Sequence, residues 1–215
     1  MGMNLTGEAL RVLGCLVEKE RTTPEYYPLS INALTNACNQ KSNRDPVMAL
    51  SEAEVQQTVD GLRGSGWAVR SADSGRVAKY GHNLAGKFQL SLGEAAVIAE
   101  LLLRGPQTSG ELRARAERMH HFVDIVEVEA ALLHLAEREP PLVAKLGRQP
   151  GHKESRFGQL LGGDPIASVH APVASSEATA DRVARLEEEV GELRLEIARL
   201  WREMRSLTLA PEEPT

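Results

Sequence analysis

The sequence predicts a mainly helical α+β chain in which two tandem winged-helix units are followed by a C-terminal coiled-coil helix. Three observations predict it. The octet Lys79–Gly86, K-Y-G-H-N-L-A-G, returns as Arg156–Gly163, R-F-G-Q-L-L-G-G, with upstream landmarks repeated in the same order. Each copy closes a run that reads as three helices followed by a β-hairpin. Beyond the second copy, apolar residues fall every seven positions, the coiled-coil period. The expected boundaries are residues 1–88 and 89–163 for the two units, 164–180 for a flexible linker and 181–209 for the coiled-coil helix.

In the first unit Leu5, Leu10, Leu13, Leu16 and Val17 lie at helical spacing behind Thr6, a plausible cap, which predicts a helix over about 6–21. Pro24 and Pro28 make 22–29 a structured loop. Ser30 opens a second helix carrying Ile31, Leu34 and Cys38, and the polar stretch 39–45, N-Q-K-S-N-R-D, leads to Pro46. Ser51-x-x-Glu54 is a capping box for a third helix burying Val55, Val59 and Leu62. Residues 67–70 and 76–80 then read as strands about a turn at Asp73-Ser74-Gly75.

The second unit repeats this order. Ser91-x-x-Glu94 and Thr108-x-x-Glu111 cap its first two helices, and Asp124 with Glu127 opens the third, expected to run to Glu139. Residues 142–146 and 155–160 are its hairpin strands. The paired glycines that end each octet imply a tight turn back onto the same unit.

From 164 to 180 the composition is rich in Ala, Ser, Pro and Val without periodicity, as in a linker. In the heptad segment Val183, Val190, Ile197 and Met204 occupy one core position and Leu186, Leu193, Leu200 and Leu207 the other. Mostly β-branched residues at the first and leucine at the second favour a parallel two-stranded coil. A parallel homodimer through 181–209 is therefore expected, with Arg182 facing Glu187 and Glu189 facing Arg194 of a second copy. Gly191 and the outward Leu195 weaken the pattern. The bland alternative is a single amphipathic helix docked on its own domain.

Charge limits the function. Residues 1–90 hold 10 basic against 9 acidic side chains, 91–165 hold 9 against 11, and 166–215 hold 6 against 10. No part is as basic as an obligate nucleic-acid binder. Only Cys15 and Cys38 are present, both within apolar helical patterns, and read as core residues. No signal-peptide pattern and no apolar run of about 18 residues appears, so a cytoplasmic chain without membrane contact is expected.

Residues 18–48, from E-K-E-R-T-T-P-E-Y-Y-P to N-Q-K-S-N-R-D-P-V-M, resemble the YceH family of bacterial proteins. Further matches are Met119-His120, E-V-E at 127–129, R-E-P-P-L-V at 138–143 and R-Q-P-G-H-K-E at 148–154. The resemblance covers most of residues 5–163 and implies two winged-helix domains. It brings no reaction, substrate or cofactor.

Among the residues themselves no Walker loop, G-x-S-x-G, H-E-x-x-H or C-x-x-C occurs. His120 and His121 point about 100° apart on a helix and make a poor metal pair, better suited to packing beside Phe122. No enzyme, catalytic residue, metal or cofactor is expected. The predicted function is DNA binding of a regulatory kind. Its expected contacts to double-stranded DNA are Arg70, Arg76 and Lys79 in the first wing and Arg148, Lys153 and Arg156 in the second. Lys41 and Arg44, in the loop before helix three, complete the set. The third helices argue against it, because Glu52, Glu54 and Asp60 oppose Arg63, and Glu127, Glu129, Glu137 and Glu139 oppose Arg138. The alternative is a protein-interaction scaffold, similar in architecture to the tandem winged-helix subunits that associate with bacterial condensin. In that reading the loop 22–29, with Tyr26 and Tyr27, contributes to a protein contact.

Overall fold

A computed structural model describes residues 4–71, 77–147 and 154–163. Within them the chain is mixed α/β, with seven α-helices and two small antiparallel sheets. In order these are α1 (Gly7–Thr22), β1 (Leu29–Ser30), α2 (Ile31–Cys38), α3 (Glu52–Gly64), β2 (Ala68–Arg70), β3 (Lys79–His82) and α4 (Leu84–Phe88). There follow α5 (Leu92–Arg104), α6 (Ser109–Ala116), α7 (Ile125–Ala136), β4 (Val143–Lys145) and β5 (Phe157–Gln159). The heptad segment lies outside the described residues, as do Arg76, Arg148 and Lys153.

Local chemistry starts the helices. The side chains of Thr6, Ser30, Ser51, Ser91, Thr108 and Asp124 each accept a hydrogen bond from a backbone N–H in the first turn of the helix that follows. At Ser51, Ser91 and Thr108 the glutamate three residues on completes the box by accepting from the cap's own N–H. The helix α7 stops at Ala136 rather than at Glu139. Glu137 N–H closes onto Leu133 O, and the residue before Pro140 is steered out of the helical region.

Three helices precede a hairpin in each half, and the first half adds β1 and α4. In the first sheet β3 lies between β1 and β2, with Leu29 opposite Tyr80 and Ala68 opposite His82. This central position moves the strand expected at 76–80 to Lys79–His82. In the second half β4 pairs with β5, and Gln107 bridges Phe157 just as β1 bridges β3. Two elements escaped the sequence reading: β1, too short to show a period, and α4.

A single hydrophobic core runs through both halves, with Val12, Leu13, Leu16, Leu34, Val55 and Val59 continuous with Val97, Leu101, Leu112, Val128, Leu132 and Leu161. The most extensive helix contact is between α1 and α5. Gly14 permits it, since a Cβ there would sit 3.0 Å from Leu102 Cβ and from Leu103. The octets diverge in use. Gly81 makes room for Tyr27, whose Oη accepts from His82 N–H at 2.8 Å. Gly162 instead abuts Leu10, and Leu5 N–H donates to Leu161 O at 2.8 Å. The second octet thus closes onto the start of α1 in the first half, not onto its own unit as the sequence implied.

Candidate functional site

The cations expected to hold phosphate have different fates. Arg44 is 5 % exposed and turned inward. Its Nη1 and Nη2 donate to the two Glu18 carboxylate oxygens at 3.1 and 2.5 Å, and its Nε donates to Ala37 O at 3.0 Å. Asn43 O and Gln40 Oε1 take further bonds, so the guanidinium has no donor left for a phosphate. The expectation for Arg44 is corrected accordingly. The loop leading to Pro46 folds the arginine under α1 because a carboxylate waits there, 26 residues upstream.

Arg156 is partly exposed but committed. It donates to Pro106 O at 2.7 Å and pairs with Glu111 at 3.0 Å. Lys79 is half-buried in β3. Lys41 and Arg70 are exposed, and their side chains have no hydrogen-bond or ion-pair partner among the described residues. Arg70 and Lys79 stand on the paired strands β2 and β3, where Arg70 lies opposite Tyr80, and Lys41 lies in the loop after α2.

Arg44 belongs to a buried ionic cluster that sequence reading missed. Arg118 Nη2 bridges Glu18 Oε1 at 2.8 Å and Glu100 Oε1 at 2.5 Å. Arg104 lies 3.5 Å from the other Glu100 oxygen and also bonds Asn43 Oδ1. The cluster therefore ties α1 and the 39–46 loop to α5 and the turn after α6. Burial raises the Glu100 carboxyl above its ordinary value, against the opposing pull of Arg118 and Arg104. Nearby, Arg11 is 1 % exposed and donates to Cys38 O and Pro46 O at 3.1 and 2.6 Å. Cys15 and Cys38 are both free and buried, as the sequence indicated. The Cys38 thiol is held well above its ordinary pKa by its bond with Cys15 and by burial.

The histidines are engaged locally. His120 packs edge-on to Phe122 with centroids 4.6 Å apart and contacts Glu127, and His121 Nδ1 lies 2.5 Å from Glu117. Among the described residues no group of three or more His, Cys, Asp or Glu is placed to hold a metal. No described helix is long and apolar enough to cross a membrane. In the 22–29 loop Tyr27 is packed, and burial raises its phenol pKa, whereas Tyr26 is 69 % exposed.

The third helices present unlike faces. On α3 the exposed charged residues are Glu52, Glu54, Asp60 and Arg63, the last bonded to Asp60 at 3.0 Å. On α7 large apolar residues are exposed beside Glu129 and His134: Val126 is 63 % and Leu133 58 % exposed, with Ile125 on the same helix. Between α7, the start of α6 and the β4–β5 hairpin runs a groove of about 820 Å³. Its floor is Leu132, Ala136 and Phe157, its lip is Ile125 and Leu133, and Glu129, Glu154 and Lys145 stand at its rim. The signal for it was in the sequence. Core packing uses Val128, Leu132 and Leu135, and leaves Ile125, Val126 and Leu133 as apolar residues off that stripe.

The family model described as "Protein of unknown function, DUF480" matches residues 5–152. A UPF0502 protein of Geobacter sulfurreducens is 56 % identical over 200 residues, covering 93 % of this chain and 91 % of the relative. A UPF0502 protein of Pelobacter propionicus is 56 % identical over 209 residues, covering 94 % and 95 %. One from Citrifermentans bemidjiense is 47 % identical over 221 residues, covering 96 % and 98 %.

Proposed function

Because the chain belongs to the DUF480 family of uncharacterised bacterial proteins, in which YceH also falls, we propose its role from geometry alone: a non-enzymatic, cofactor-free protein-interaction module. In this reading each half is a winged helix, three helices and a hairpin, used as an adaptor surface rather than as a reader of bases. The observation that carries it is the face of α7. A winged helix that reads DNA turns this helix into the major groove, where donors and cations meet bases and phosphates. Here that helix offers Ile125, Val126 and Leu133 among carboxylates, and α3 offers Glu52, Glu54 and Asp60 with Gln57 and one cation, Arg63, which is bonded to Asp60. Such surfaces repel phosphate and favour a protein.

The DNA reading keeps Lys41, Arg70 and Lys79, with Arg76, Arg148 and Lys153 outside the described residues. Fluorescence anisotropy of the full chain on random duplex DNA at several salt concentrations separates the two. Three phosphate contacts alone would give a log K against log salt slope of about −3. The protein reading expects no micromolar binding at low salt, and a slope that steep sinks it.

The heptads at 181–209 are part of the proposal as a parallel homodimer, which would present two such surfaces. Light scattering on the full chain should then give a dimer, and on a chain ended at Ala180 a monomer. A dimer persisting in the truncation places the interface elsewhere.

A further inference from the structure

We propose that the groove between α7 and the β4–β5 hairpin binds an amphipathic helix of a partner protein, with an apolar stripe flanked by lysine or arginine. This rests on the protein-interaction reading above and names its site and its partner's chemistry.

The shape comes first. The helix α7 spans Ile125–Ala136, about 18 Å at 1.5 Å per residue, enough to lie along some three turns of a partner helix. The groove is partly open to solvent, so side chains of a partner can enter it from outside. Ile125, Leu132 and Ala136 fall at i, i+7 and i+11 along one side of α7, and Phe157 closes the other wall. Side chains at i, i+4 and i+7 of an incoming helix match a groove of this kind.

The energetics favour occupation. Leu133 is 58 % and Ile125 37 % exposed, and both line the groove. Covering them removes apolar surface from water, which favours association. Nothing in the packing of α7 requires them to be apolar, because Val128, Leu132 and Leu135 already serve the core.

Charge selects the partner. Among the described residues Glu129 and Glu154 stand at the rim with Lys145 as the one cation, and the Lys145 ammonium sits 5.9 Å from the Phe157 ring centroid. The helix also carries Glu127, which is bonded to Val123 N–H and lies against His120. Net negative charge beside an apolar floor attracts a cationic amphipathic helix. It repels an acidic one, nucleic-acid phosphate and an anionic bilayer.

The test uses the full chain and a peptide of about 18 residues made of leucine and lysine, with leucines at helical spacing. A glutamate-for-lysine counterpart and a scrambled version of the lysine peptide serve as comparisons. Methyl resonances of Ile125, Leu132 and Leu133 should shift with the lysine peptide, which should bind at least about tenfold tighter than either comparison, or 1.4 kcal/mol. Leu133→Lys should weaken binding at least about tenfold, Glu129→Lys should weaken it less, and Leu133→Met should leave it within about twofold. Arg70→Ala, in the other half, should leave it unchanged. Equal binding of the glutamate peptide, or no effect of Leu133→Lys in a chain that melts normally, overturns the proposal. Shifts that depend on protein concentration alone overturn it in favour of a second copy. Cross-peaks from the groove methyls to residues 181–209 overturn it in favour of the chain's own C-terminal segment. Lysine-peptide binding that maps to another face overturns the groove while the protein-interaction reading stands. Salt-dependent DNA binding without peptide binding overturns both.

Discussion

Replacing Arg44 by methionine should cost the fold about 3–5 kcal/mol, the range for breaking one side of a buried ion pair. The side chain is fully buried, and methionine fills much of its aliphatic volume, so the loss is of charge and hydrogen bonds rather than of packing. Both Glu18 oxygens lose a donor, and the carbonyls of Ala37 and Asn43 lose theirs. Glu18 keeps Arg118 at 2.8 Å, which holds the cost within that range and not above it. At about 2–4 °C per kcal/mol for a chain of this size, the melting temperature should fall by about 6–20 °C. Urea unfolding followed by circular dichroism measures the free energy directly, with an unchanged slope if only stability is affected. Lys41→Met, at an exposed position nearby, should stay within about 0.5 kcal/mol of the parent. Glu18→Gln combined with Arg44→Met should cost less than the sum of the two single changes, because the second change removes a carboxylate already deprived of its partner. A loss under about 1 kcal/mol for Arg44→Met, or strict additivity in the double variant, would refute the view that this buried pair fastens the 39–46 loop to α1.

Two further outcomes follow from the packing and the caps. Gly14→Ala should destabilise by about 1–3 kcal/mol despite alanine's better helix propensity, because its Cβ would press on Leu102 and Leu103 at 3.0 Å; Gly61→Ala, with open space around it on α3, should stabilise by about 0.5–1 kcal/mol. Chemical denaturation of both variants checks the pair, and a stabilising Gly14→Ala would contradict the close α1–α5 contact. Stability should also fall with acid. Burial alone would raise Glu94, but bonds from Ser91 and His134 more than offset it, so its folded pKa lies below the ordinary carboxylate value. A depressed folded pKa contributes stability above the unfolded value that is lost as pH falls through the folded one. Unfolding curves from neutral pH to about pH 3 should show that loss, and Glu94→Gln should flatten it.

The parts of the fold legible in sequence were those decided within a few residues. Thr6, Ser30, Ser51, Ser91, Thr108 and Asp124 announce helices because a cap bonds a backbone N–H two or three residues on. The stripe Val55, Val59, Leu62 and its echo Val128, Leu132, Leu135 are buried because period alone puts them on one face. What was hidden depends on distant partners. Nothing near Arg44 in the sequence says that Glu18, 26 residues upstream, will receive it. Lys79 and Arg156 head matching octets, yet Arg156 is tied to Glu111, 45 residues earlier. The α7 groove was hidden for another reason. Its apolar lip was visible as residues off the core stripe, but only the hairpin's position beside α7 turns them into a surface.

The most direct measurement is photo-crosslinking in cells, with a photoreactive amino acid placed either at Leu133 on α7 or at Arg70 in β2. Both positions are exposed, so neither substitution disturbs the core. Protein adducts from position 133, with no nucleic acid recovered from position 70, are the predicted result. Nucleic-acid adducts from position 70 with no protein captured at position 133 would contradict the account.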